Sequence, residues 1–144
     1  MSYMQWFMEH DQKHHLIVEK LKRQNFTKEQ IIDYFVFENM VESEPDFCLL
    51  YANKKKCHDI IYLNCYLCAC PHFRFNDEGI ETKEDGFVVK SECSIHSKNA
   101  SKFTYEKVEH LDCSKCILPH THIFVKKYFD EVWQKMMKDC FLHL

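Results

Sequence analysis

The residues best equipped for chemistry in this sequence carry sulfur. Cys65-Tyr66-Leu67-Cys68-Ala69-Cys70-Pro71 sets three thiols close together. Two residues between cysteines let both thiolates turn toward one ion, as in zinc ribbons. Cys70 crowds that pair, so we expect it to bridge or to serve a second metal. Cys113-Ser114-Lys115-Cys116 repeats the two-residue gap. Cys57-His58 precedes the first pair, His120 follows the second behind Pro119, and Cys48 and Cys93 complete the set. The candidate metal ligands are therefore Cys48, Cys57, His58, Cys65, Cys68, Cys70, Cys93, Cys113, Cys116 and His120. Two closed tetrahedral zinc sites take about eight ligands, so this set fits two structural zinc ions better than one. Rubredoxin-type iron or an Fe–S cluster would use the same thiolates and is the alternative cofactor.

Other constellations are weaker. His72, His96 and His122 are reserve ligands, with His96 the best placed because Cys93-Ser94-Ile95-His96 has ligand spacing. His10 and His14 lie one helical turn apart, but the matched Glu-x-x-His repeats of a di-iron bundle are missing, so a partly exposed helix face is expected there. Lys54-Lys55-Lys56 reads as a solvated loop. No GxSxG or glycine-rich phosphate loop is present. Thiolate-rich zinc sites are usually closed, whereas a hydrolytic zinc needs an open position and a nearby base. Glu92 and Asp112 lie near ligands in sequence and are read as solvated or as partners of the ligands. The pattern argues against an enzyme more than for one.

Cys57-His58, then Asn64-Cys65-Tyr66-Leu67-Cys68-Ala69-Cys70-Pro71, then Cys113-Ser114-Lys115-Cys116 with Pro119-His120, resembles the cysteine-rich small domain family of zinc-finger-like proteins. Cys48 resembles that family's leading cysteine and Cys93 its isolated one. The resemblance covers roughly residues 47 to 122 and implies zinc binding, with no activity attached. The sequence departs from the pattern in its long Cys48-to-Cys57 gap and in Ser94-Ile95, where the family has glycines. Ala69 and Ile117 also stand where ribbon knuckles commonly have glycine.

These ligands need elements to position them. Tyr3, Phe7, His10, His14, Ile17 and Leu21 recur at helical spacing, and Asn25-Phe26 breaks the run. Thr27-Lys28-Glu29-Gln30 is a capping box opening a second helix, which Pro45 ends near Ser43. Residues 1–46 thus read as a helical hairpin. Residues 47–122 read as a loop-rich cysteine module, with a short β-hairpin around Asp85-Gly86 and no apolar core of its own, and therefore in need of a metal staple. In residues 123–144, Phe124, Tyr128, Val132, Met136 and Cys140 follow an i+4 path, flanked by Phe129, Trp133, Met137 and Phe141. That stripe predicts one C-terminal helix packed on the hairpin, with Cys140 a buried thiol. The expected fold class is α+β, mostly helix and loop, in one domain: helical hairpin and C-terminal helix on a metal-stapled module.

Composition bounds the function. The chain has 144 residues, 46% of them hydrophobic, and a formal net charge of −3, which argues against bulk binding to nucleic acid. RNA recognition through zinc knuckles and Phe73, Phe75 and Tyr105 is the weakest alternative. No apolar run approaches the ~20 residues that span a bilayer, and Met1 to His15 shows no signal-peptide pattern. Nine cysteines without an export signal read as ligands, not cystines, and point to the cytoplasm. The expectation is a small cytoplasmic zinc-binding protein in an accessory or adaptor role, with a protein or small-molecule partner of unknown identity and no membrane.

Overall fold

The computed structural model describes residues 2–138 and residue 140. Helix α1 runs from Tyr3 to Arg23, opened by a capping box in which Ser2 and Gln5 satisfy each other's backbone N–H groups. Asp77, from a distant loop, takes two more of the unpaired N–H groups at this end: Tyr3 and Met4 donate to its carboxylate at 3.0 and 3.1 Å. The predicted apolar stripe is present, with Phe7, His10, His14, Ile17, Val18 and Leu21 buried.

The second predicted helix is in fact two. Helix α2 (Lys28–Tyr34) opens on the Thr27/Gln30 capping box, and α3 (Phe37–Ser43) follows after a break. At the break Val36 is extended and bridges Asn64. Cys65 N–H donates to the Phe35 carbonyl (2.8 Å) and Phe37 N–H to that of Leu63 (2.9 Å). These are backbone groups that an unbroken helix would have used internally. The interruption therefore docks the chain just before the first cysteine pair.

The C-terminal helix is likewise divided, into α4 (His122–Tyr128) and α5 (Trp133–Met136). Two polar contacts hold the intervening turn: Val132 N–H donates to the Asp130 carboxylate (2.8 Å), and the Tyr66 hydroxyl donates to the Asp130 carbonyl (2.6 Å). Phe129 stacks on Tyr66 with ring centroids 4.8 Å apart. The i+4 path is lost, yet Phe124, Trp133, Met136, Met137 and Cys140 are all buried. Phe141, part of the same predicted stripe, lies outside the described residues.

Six short strands complete an α+β fold. β1 (Phe73–Phe75) pairs antiparallel with β4 (Ser91–Cys93). A second sheet has the order β2 (Glu81–Thr82), β3 (Val88–Val89), β6 (Val108–Asp112), β5 (Ser101–Tyr105). β2 and β3 form the predicted hairpin, with Gly86 at φ +89° in its turn. The β5–β6 hairpin was not predicted. Its turn residues Glu106 and Lys107 both have positive φ, a geometry usually signalled by Asn-Gly or Asp-Gly.

One buried cluster gathers side chains from the whole chain: Phe7 and Val18 of α1, Phe35, Phe37 and Met40, then Leu63, Tyr66, Leu67 and Phe75, and finally Val125, Trp133 and Met137. The cysteine segment is thus not coreless throughout. Tyr66 and Leu67, the two residues inside the first CxxC, are 0% exposed. His10 and His14, expected on a partly exposed face, are 3% and 0% exposed. His10 stacks on Trp6 (4.7 Å), and His14 meets Tyr66 edge-on (4.5 Å). Aromatic neighbours on all sides outweigh the cost of burying two neutral imidazoles. Among the described residues no helix is long and apolar enough to cross a membrane.

Candidate metal centre

Asn64 is the joint between core and cysteines. Its buried side chain donates to the Ile32 carbonyl (2.9 Å) and accepts from Tyr66 N–H (2.8 Å). Its backbone N–H donates to the His120 carbonyl (3.0 Å), and its own carbonyl accepts from His120 Nδ1 (2.9 Å). The 3₁₀ turn Leu118–His120, with Pro119 buried, presents that histidine. Nothing in the sequence reading gave Asn64 a role, although it stands immediately before Cys65 in the motif.

A carbonyl can only accept, so His120 carries its proton on Nδ1 and keeps a lone pair on Nε2. Nε2 lies 3.9 Å from Cys57 Sγ. His58 is arranged the same way with its ring nitrogens exchanged: Nε2 donates to the Cys113 carbonyl (2.8 Å) and Nδ1 lies 3.0 Å from the same sulfur. The two rings are 4.6 Å apart. The Cys57, His58 and His120 donor atoms all lie within 4.8 Å of one another, the only such group of three or more among the described residues. Burial holds the His120 imidazole down to about 4, so it is neutral, the form that ligates, at pH 7.

The remaining seven predicted ligands do not converge that tightly, but they fall into two neighbourhoods. Burial, with neighbouring sulfurs adding to it, pushes four of these thiols up. Cys65, at about 12, feels Cys57 and Cys48, and Cys68, raised well above the ordinary range, feels Cys65, Cys48 and Cys57. The buried Tyr51 hydroxyl sits against this group, beside the Cys65 sulfur, and partly offsets the rise at Cys65. In the second neighbourhood Cys70, at about 11, feels Cys93 and Cys116, while Cys113, at about 12, feels Cys70, Cys116 and Cys93. Three sulfurs here already face donors: His72 N–H to Cys70 (3.4 Å), Ser97 N–H to Cys93 (3.5 Å), and the Ser97 hydroxyl beside Cys116 (3.4 Å). Thiols that raise one another and are deprived of water stay protonated unless a cation replaces their protons. No disulfide joins any of the nine cysteines.

The knuckle turn forms without glycine. Ala69 and Cys70 adopt φ +87° and +72°, and Cys70 N–H donates to the Leu67 carbonyl (2.9 Å). Trp133 Nε1 donates to the Cys68 carbonyl (3.1 Å) and fixes the loop from the core side. After the second pair, Ile117 stays at φ −91°.

Two of the reserve histidines lie apart, and the ring of the third, His72, is taken up by aromatic contacts. His96 is exposed, and His122 pairs with Glu29 at 3.5 Å. His72 meets Phe124 and Tyr128 edge-on. Lys54 and Lys56 of the lysine run pair with Glu42 and Glu38. Phe75, one of the three aromatics offered for base stacking, is 2% exposed and faces the core, leaving no surface for a base.

No family model matches the chain, and no curated protein or solved structure is significantly similar to it. The likeness to the cysteine-rich small domain family therefore stands on its motif residues alone.

Proposed function

We propose that the protein binds two metal ions, zinc being the ions that suit a sulfur-rich set with two imidazoles, and that it serves an accessory or adaptor role in the cytoplasm. One centre draws on Cys70, Cys93, Cys113 and Cys116. The other draws on the Cys57–His58–His120 group with Cys48, Cys65 and Cys68 beside it. The observation that carries this reading is the pair of imidazoles brought from distant segments. Each is anchored by its N–H on a backbone carbonyl, and each turns its lone pair toward Cys57 Sγ. Metal-binding histidines are held in this way, the outer hydrogen bond fixing tautomer and ring orientation.

Metal analysis of protein purified anaerobically tests the proposal. About two zinc per chain is expected. Cys113→Ser should remove one equivalent and His120→Ala the other, each leaving its neighbour filled. A red or brown preparation containing iron would replace zinc by the alternative cofactor. Protein purified without stoichiometric metal would overturn the reading.

A further inference from the structure

Strand β5 is the outer strand of its sheet and is covered on neither face. An antiparallel strand commonly rests one face on a core, yet all of Ser101–Tyr105 is exposed. Phe103 and Tyr105, 51% and 69% exposed, share one face with Ser101, and Lys102 and Thr104 share the other. Among the described residues, no backbone group of β5 bonds to any element but β6. The N–H and C=O groups of alternate residues therefore face outward without a partner in the chain. Proteins ordinarily blunt such an edge with proline, a bulge or an outward lysine. β5 has no proline, and its register with β6 runs unbroken from Ser101↔Asp112 to Tyr105↔Val108. Its one lysine is turned back across the sheet, with Nζ 3.4 Å from Glu109 Oε2 of β6. Phe103, Thr104 and Tyr105 are strong strand formers.

We propose that β5 pairs with β5 of a second copy of this chain, antiparallel about a two-fold axis at Phe103. This register pairs the whole strand: Ser101 meets Tyr105 of the second copy, Lys102 meets Thr104, and Phe103 meets Phe103. An axis at Lys102 would set two lysines directly against each other, which is unfavourable. An axis at Thr104 would set Ser101 and Lys102 against Glu106 and Lys107, whose positive φ angles take them out of the strand. In the Phe103 register no like charges stand opposite, and two phenylalanines and two tyrosines gather on one face, where cross-strand ring contacts add to the backbone bonds. The edge thus complements itself, as a two-fold interface requires, and two four-stranded sheets become one of eight strands. The proposal rests on the sheet edge and goes beyond the metal reading.

Five residues a side fall short of the roughly 20–30 of a standard interface, so the dimer should be weak, with a micromolar Kd. Sedimentation velocity on the full chain as purified, from about 1 to 500 µM, brackets that range. Thr104→Lys places like charges opposite each other at both Lys102 positions and should weaken the dimer at least tenfold. Thr104→Glu places opposite charges there and should tighten it about threefold. Lys102→Glu added to Thr104→Lys should bring the affinity back to within about threefold of the parent. Within one chain Thr104 faces Glu109, so lysine there should steady the β5–β6 hairpin and glutamate loosen it. The dimer effects run the other way and cannot arise from folding, which circular dichroism checks in each variant. A monomer at every concentration, a dimer that Thr104→Lys leaves untouched, or a double variant as weak as Thr104→Lys overturns the proposal. Metal per chain is measured on the same samples, so failure of the metal reading remains distinguishable from failure of the pairing.

Discussion

Tyr66 and Cys68 stand two residues apart and belong to different kinds of interior. Tyr66 enters a cluster of rings, with Phe35 at 4.8 Å, His14 at 4.5 Å and Phe129 stacked above it. Around it the helices bury Phe7, Trp133, Met40 and Leu21 almost completely. Residues 90–118 offer nothing comparable: their only buried hydrophobic residue is Cys116, and β5 is exposed along its length. Backbone pairing between β5 and β6 and the ion pairs of Glu109 with Lys83 and Lys102 give this region local order. The lysine ends of these pairs are open to solvent, which screens them and keeps their contribution small. A region with a full side-chain core needs no further tie, whereas one without a core needs its ends joined by something else, and thiols are what it has.

The sharpest way to break this contrast is to remove the proposed zinc. A strong chelator acting on reduced protein should abolish hydrogen-exchange protection in β4, β5 and β6 and leave α1 and α2 protected. Zinc binding to small domains supplies on the order of 10 kcal/mol, so the loss should be complete, not graded. Equal loss in both regions would show that the core also depends on the metal. The converse experiment is Phe35→Ala. Phe35 is fully buried between His14, Phe47 and Tyr66, and its truncation should cost about 3–5 kcal/mol in urea unfolding. Zinc per folded chain should not change.

How much of this contrast the sequence disclosed follows its physical origin. The α1 stripe and the Thr27 box were legible because periodicity and capping are local. The two helix breaks were not, because the groups that cause them come from afar: Asn64 and Cys65 at Val36, the Tyr66 hydroxyl at Asp130. The β5–β6 turn was hidden because Glu106-Lys107 carries none of the usual turn residues. His10 and His14 were read as half-exposed because a histidine's environment is set by its neighbours, not by its spacing. The ligand residues were legible by type and spacing, but their division into two neighbourhoods and the carbonyls that orient His58 and His120 were not. Those depend on loops meeting across more than fifty residues.

Asn64 tests the joint between the regions. In Asn64→Ala the Ile32 carbonyl and Tyr66 N–H lose their buried side-chain partner, which should cost about 1–3 kcal/mol. The backbone pairing to His120 survives, so zinc should be held more weakly, not lost. Competition with a chromophoric chelator measures this, and unchanged affinity with lowered stability would confine Asn64 to the core.

The buried histidines give the core a pH dependence of its own. Burial lowers His10 and His14 to about 3 in the folded protein, against the ordinary 6.5 of an unfolded chain. The unfolded state therefore takes up protons first as pH falls. Stability is intact above about pH 6.5 and is lost between there and 3, by roughly 1.4 kcal/mol per pH unit for each histidine. His14 donates Nε2–H to the Tyr66 carbonyl (3.1 Å), whereas His10 Nε2 has no partner. His10→Phe should therefore fold at pH 7 and lose one proton's worth of slope between pH 6.5 and 5. Release of the proposed zinc at low pH would affect parent and variant alike, so the difference between their slopes isolates His10.

The smallest effect is expected where the two regions share a turn. Ala69 holds φ +87°, a conformation that costs a non-glycine residue on the order of 1–2 kcal/mol. Glycine would remove that strain, while its larger freedom in the unfolded chain returns about 0.4–1 kcal/mol. Ala69→Gly should therefore stabilise by between 0 and ~1.6 kcal/mol, a rise in Tm of at most about 3–6 °C. Cys70, at φ +72°, carries the same strain but cannot be exchanged without losing its sulfur. If thiols hold the turn against its backbone preference, relief at Ala69 should be larger in metal-replete protein than in chelated protein, where the turn is free to relax. Equal gains in both would mean that the core side, through Trp133 and the Cys68 carbonyl, fixes the turn by itself.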